Sequence, residues 1–182
     1  MERFLALAAS IKVGDPKDPA TEMGPLTSPT HRDRVLSYVQ VAVDEGGEVL
    51  LGGKAPDDPA LANGCYIEPT IVRAKHTDRV CQEEVFGPFV TITTFRTDEE
   101  ALEIANSTDY GLGSGLWTTN LQRAHRIAAE MRAGMVWVNC YEEGDMTMPF
   151  GGVKASGFGR DKSLHALEKF TDIKATWIDL SE

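Results

Sequence analysis

Hydrophobic period switches back and forth along this chain, from strand-like apolar runs to stretches recurring at three- and four-residue steps, and that alternation points to a layered α/β architecture. Phe89 to Phe95, rich in Val, Thr, Ile and Phe, leads into Thr97-Asp98-Glu99-Glu100, a capping box that opens a short helix through Ala101, Ile104 and Ala105. Ser114 to Thr118 is a further apolar strand. Asn120 then caps a helix on which Leu121, Ala124, Ala128 and Met131 share a face, Gly134 ends it, and Met135 to Val138 returns as a strand. This order predicts a mostly parallel sheet with flanking helices and right-handed crossovers. In such a sheet the ligand crevice is expected beyond the carboxyl ends of the strands, which puts Asn139 to Asp145 at the functional edge.

The first half is more broken. Ile11 to Leu26 holds Gly14, Pro16, Pro19, Gly24 and Pro25 and reads as an ordered surface loop. Ser28 can cap a helix with Pro29 at its first position, and Val35, Tyr38, Val39, Ala42 and Val43 then recur at helical steps until Gly46-Gly47. Glu48 to Leu51 is a strand candidate, and Cys65 to Val72 a second, in which Pro69 argues for a sheet edge. The tail reads as a short helix, Ser163 to Phe170, and an uncovered last strand, Ala175 to Leu180. One domain of 182 residues plus a terminal strand is the expected organisation.

Composition narrows the function. Eighteen Lys and Arg against 28 Asp and Glu leave a formal charge of −10, which repels phosphate backbones and anionic membranes, and no basic patch offsets it; neither nucleic acid nor membrane is an expected partner. No window is apolar for the roughly 18 residues a membrane span needs, and the opening lacks a signal pattern, so the expected compartment is cytoplasmic. Cys65, Cys81 and Cys140 form no CxxC pair and suggest neither a disulfide framework nor a zinc finger.

Three clusters carry candidate chemistry. Pro149 to Arg160 contains four glycines with Lys154 and Arg160; it can cradle a phosphate, or turn tightly to shape a pocket mouth, but its spacing matches no nucleotide fingerprint. Glu83-Glu84-Val85-Phe86-Gly87-Pro88 places two carboxylates and an aromatic at a forced turn: a carboxylate there can accept hydrogen bonds from a sugar diol and Phe86 can cover an apolar ring, or the turn is simply solvated with Phe86 buried. Tyr141-Glu142-Glu143-Gly144-Asp145 puts three acids after a strand, suited to acid–base work, to a cationic substrate or to a solvated loop; no histidine accompanies them, which argues against a metal. His31, His76, His125 and His165 are too dispersed for spacing alone to assemble a catalytic triad.

Taken in order, Gly24-Pro25-Leu26, Tyr66 to Ile71, Glu83 to Pro88, Asp109 to Leu112, Gly134 to Asn139 and Pro149 to Arg160 resemble the C-terminal portion of the NAD(P)-dependent aldehyde dehydrogenases, over essentially the whole chain. Asp145 to Phe150 and Asp161 to Lys169 are similar to the branch acting on aminoaldehydes, of the γ-glutamyl-aminobutyraldehyde and betaine aldehyde type.

The resemblance implies a mechanism in which a cysteine thiolate attacks the aldehyde, hydride passes to nicotinamide, and a glutamate activates the water that hydrolyses the thioester. It also implies NAD or NADP as cofactor, with Glu84 holding the nicotinamide ribose, Phe86 backing the nicotinamide and Leu112 lining that site. Tyr141, Glu142, Asp145 and Phe150 match the substrate-access wall, where acids and aromatic faces favour an amine-bearing aldehyde. The family nucleophile lies in a Gly-Gln-x-Cys segment, and this chain has no Gly-Gln pair. Nucleophile, general base and dinucleotide-binding domain are therefore expected upstream of Met1, no residue here is expected to be catalytic, and the piece alone is expected to be inactive. Residues 1–174 correspond to the later part of the catalytic domain and 175–182 to an oligomerisation strand, implying a homo-oligomer. A stand-alone assembly module and one subunit of a split enzyme are the alternatives.

Overall fold

The computed structural model describes residues 1–181 and divides into two compact units, Met1–Phe95 and Arg96–Glu182, where a single domain was expected. The first unit opens with α1 (Glu2–Ala9), for which the sequence carries no cap or stop signal that marks it out; none of its residues is buried, and its apolar Phe4 and Leu7 are exposed. The Gly- and Pro-rich loop follows, closed by a bridge between Val13 and Met23. In α2 (Pro29–Asp44) the Ser28 hydroxyl accepts the His31 N–H and Pro29 takes the first turn. Val35, Tyr38 and Ala42 on its inner face meet Ile67, Val72, Val80 and Val85 in the core.

The sheet of this unit is mixed. β1 (Glu48–Leu51) runs antiparallel to β2 (Thr70–Arg73), which runs parallel to β3 (Phe89–Ile92) across the short α3 (Arg79–Gln82). β2 is the central strand, which corrects the edge position inferred from Pro69. The proline lies immediately before the ladder, so its missing N–H removes no ladder bond, and Thr70 N–H opens the pairing by donating to the Pro88 carbonyl (2.8 Å).

In the second unit α4 (Asp98–Asn106) begins where the Thr97 hydroxyl accepts the Glu100 N–H, and the Glu100 carboxylate reaches back to the Arg96 N–H, one residue before the reciprocal bond of a capping box. β4 (Gly113–Leu116) and β5 (Met135–Val138) pair in parallel across α5 (Leu121–Glu130), capped by the Asn120 side chain. Ala124 and Ile127 are the buried positions of α5; Leu121 is exposed, because it precedes the turn that reaches the sheet, so the inward face is centred one step from the one the spacing suggested.

The tail departs from expectation in its helix. Leu164–Phe170 is a 3₁₀ segment started by the Ser163 hydroxyl, not an α-helix. Ala175 to Leu180, expected as an uncovered strand, forms no ladder with the described residues, and Trp177, Ile178 and Leu180 are exposed. A strand is defined by a partner's hydrogen bonds, and none of the described residues supplies them.

Candidate functional site

In the first unit the chain leaves α3 at Glu83 and turns through Phe86. The adjacent carboxylates part company here. Arg79 binds Glu83 bidentately (2.9 and 3.0 Å) and the Tyr38 hydroxyl donates to it (2.8 Å); these contacts, Arg79 foremost, hold its carboxyl below the usual 4.5. The Glu84 carboxylate has no such partner among the described residues and faces solvent. Its backbone is nonetheless fixed, since Arg34 donates to the Glu84 carbonyl (2.9 Å).

Phe86 adopts a left-handed backbone, φ 59°, and the residue is 71% exposed, against the simple reading in which it is buried. A bulky residue there is strained by roughly 1–2 kcal/mol, and His31 holds the strain in place: its Nε2 donates to the Phe86 carbonyl (2.7 Å), and its Nδ1 is hydrogen-bonded to the Thr27 hydroxyl (3.1 Å). A free carboxylate and a presented aromatic face on an anchored turn can accept hydrogen bonds from a diol and cover a planar ring.

The second unit brings the remaining predicted residues together. Leu112, Tyr141, Glu142, Asp145 and Phe150 line one cavity of about 470 Å³, with Trp137 and Lys162 among its other walls. The cavity does not lie only beyond the carboxyl ends of the strands, as expected, because Gly113 and Met135 at the amino ends of β4 and β5 also line it. The loop after β5 folds back along the strands. Asn139, at φ 60°, starts the turn and clamps it to the end of β4, its side chain accepting from Thr118 N–H (2.8 Å) and donating to Thr118 carbonyl (2.9 Å). The Trp137 indole then donates to the Glu143 carbonyl (2.7 Å), and the Tyr141 ring packs at 5.0 Å from the Trp137 ring.

Within the cavity Asp145 is already engaged. The Thr147 hydroxyl (2.6 Å) and N–H (2.8 Å) donate to it, holding its carboxyl below the usual 3.8, and Lys162 adds a smaller attraction. The glycine loop is a scaffold: Lys154 donates to the carbonyls of Asn106 and Thr108, and Arg160 to those of Gly152 and Gly159, so both cations serve backbone oxygens. Glycine is required at 134, where a Cβ would lie 1.7 Å from the Gly151 carbonyl oxygen. Lys162 and Trp137 were not singled out from the sequence; only the doubling back of the loop brings them beside Phe150 and Tyr141. Leu112 shares its cavity with Tyr141, Glu142, Asp145 and Phe150, whereas Glu84 and Phe86 belong to the other unit.

Residues 1–176 match the aldehyde dehydrogenase family. The chain belongs to that family. The aldehyde dehydrogenases it resembles include the 2-hydroxymuconic semialdehyde dehydrogenase of Pseudomonas putida, 46% identical over 180 residues, and a betaine aldehyde dehydrogenase of Cereibacter sphaeroides, 43% identical over 185 residues. Each alignment covers 98% of this chain and 37% of the relative. Among solved structures, PnpE from Pseudomonas sp. WBC-3 superposes with a TM-score of 0.93 at 61% identity, covering 100% of this chain and 37% of PnpE. A PnpE structure in complex with nicotinamide adenine dinucleotide gives 0.92 at 64% identity, covering 94% of this chain and 35% of that one. The chain thus spans little more than a third of the length of these aldehyde dehydrogenases. No helix of the described residues is long and apolar enough to cross a membrane.

Proposed function

We propose that this chain supplies the C-terminal portion of an NAD(P)-dependent aldehyde dehydrogenase, contributing a nicotinamide-ribose turn and a substrate wall to an oxidation completed only with a segment it does not contain. The observation that carries this reading is the anchored turn at Glu84 and Phe86: one carboxylate of the pair is consumed by Arg79 and Tyr38, and the other is left free on a fixed backbone. A dinucleotide held there would supply the hydride acceptor for the substrate carbon. Glu84 would accept the hydrogen bonds of its ribose diol and Phe86 would back its ring, while Leu112 lines the cavity of the second unit. No cysteine here is a suitable nucleophile by sequence context, and burial pushes the Cys81 thiol up, away from the thiolate the reaction needs.

In the substrate cavity Glu142 and Asp145 with Tyr141 and Phe150 support an aldehyde bearing an amine or quaternary ammonium. The tail from Ala175 onward, with Trp177, Ile178 and Leu180 exposed, supports association by adding a strand to a neighbouring subunit's sheet. The predicted compartment is the cytoplasm.

Incubated with NAD or NADP and betaine aldehyde, the purified chain is expected to form no NAD(P)H above the buffer rate; a rate above it overturns the reading. Completed with the preceding two-thirds of a homologous enzyme, it is expected to turn over. There Glu84→Ala should raise the dinucleotide KM by about tenfold or more, the cost of losing hydrogen bonds to a charged acceptor.

A further inference from the structure

Lys162 is the one cationic residue among the described residues lining the cavity of the second unit. Its ammonium lies 5.7 Å from the centroid of the Phe150 ring, within the range of a cation–π contact. Its basic neighbours in the same segment are employed elsewhere: Lys154 and Arg160 donate to backbone carbonyls, and Lys169 donates to Asp161 (2.6 Å). The Lys162 ammonium makes no hydrogen bond or ion pair among the described residues, leaving its N–H donors to solvent and the cavity.

The backbone holds this arrangement from both sides. Asp161 exchanges two hydrogen bonds with Phe150 (2.7 and 2.6 Å), and the Ser163 N–H donates to the Met146 carbonyl (2.7 Å). Lys162 sits between these anchors in a left-handed conformation, φ 58°, followed by Ser163 at 53°. Two consecutive non-glycine residues in that region are costly, and the flanking hydrogen bonds compensate. Lys162, although exposed, is therefore carried on a fixed backbone next to the aromatic face it covers.

We propose that Lys162 is a specificity-determining residue that occupies the cation-binding face of Phe150, so that an amine or quaternary ammonium substrate end must displace it. The inference rests on the reading of this cavity as the substrate wall. Lys162 lowers the cavity's affinity for permanent cations, while Asp145 and Glu142 retain the acidic character that attracts them.

The test titrates the whole chain with tetramethylammonium chloride, with sodium chloride as the ionic-strength control, following the Trp137 indole N–H resonance assigned by Trp137→Phe. Lys162→Met should bind the cation roughly two- to fivefold more tightly than the unsubstituted chain, the range of an exposed cation–π contact, and Lys162→Arg should restore the weaker binding. Lys162→Gln replaces the methionine variant if that one does not fold. Equal affinity in the unsubstituted and charge-free proteins overturns the role of Lys162 while leaving the cavity's function standing. An indole resonance unmoved by the cation in every variant overturns the substrate-wall reading, and this inference with it.

Discussion

Glu83 and Glu84 are adjacent, alike in chemistry and opposite in fate. A carboxylate held bidentately by Arg79 and bonded by Tyr38 is structural, and its neighbour, one residue along the chain, is exposed and stays available. Spacing could mark the pair but could not choose between its members, because the choice depends on Tyr38, 45 residues away. Phe86 shows the same dependence: the left-handed backbone is retained through a bond from His31. Phe86→Gly should leave thermal and urea stability within about 0.5 kcal/mol of the parent, the relief of positive φ offsetting glycine's added freedom in the unfolded chain. A loss near 3 kcal/mol in the urea series would mean that the ring is a packing residue and not a presented face.

At the scale of elements, helix starts were the most legible feature. Ser28, Thr97 and Asn120 each cap the helix they were expected to cap, because an N-cap is a local bond from a side chain to an N–H three residues on. Strand pairing was less legible, since β1 to β5 are only four residues each and apolar period does not name a partner. The α4–α5 pair is joined by charge: Asp98 accepts from Arg123 (2.9 Å through Nε) and Arg126 (2.7 Å), and Arg126 also donates to Glu99 (3.2 Å). Arg123 foremost holds the Asp98 carboxyl below the usual 3.8. A folded pKa below the unfolded one means that protons bind the unfolded chain preferentially, so this stabilisation is full above the unfolded pKa and is lost as pH falls through the folded one. Acid unfolding followed by circular dichroism should show a shallower dependence below pH 3.8 in Asp98→Asn, with the variant less stable than the parent at neutral pH; curves of identical slope would show that the arginines contribute nothing measurable.

For the whole molecule the exposed apolar residues are the dominant physical fact. Phe158, within the glycine loop, and Ile173 are essentially fully exposed, and Leu164, Phe170, Trp177 and Leu180 in the stretch after that loop are nearly so. Apolar surface of this extent marks an interaction face or an aggregation liability. The purified chain should therefore bind an apolar dye and elute at a larger apparent size as its concentration rises, and removal of residues 171–182 should reduce both effects. A concentration-independent monomer that leaves the dye dark would show that this surface is satisfied within the chain.

By itself the sequence determined the caps, the alternation of strand and helix, the glycine loop and, through its ordered motifs, the family, because each of these is written in neighbouring residues or in their order. It also marked Tyr141, Glu142, Asp145 and Phe150 as one group, which the second unit does assemble. Only the tertiary structure decided that β2 is central, that Ala175 to Leu180 finds no partner strand among the described residues, that Glu84 and not Glu83 is free, and that the loop after β5 doubles back to seat Lys162 on Phe150. These outcomes turn on contacts between residues far apart in the chain, where hydrogen-bond partners and backbone strain select one arrangement among several that local pattern allows equally.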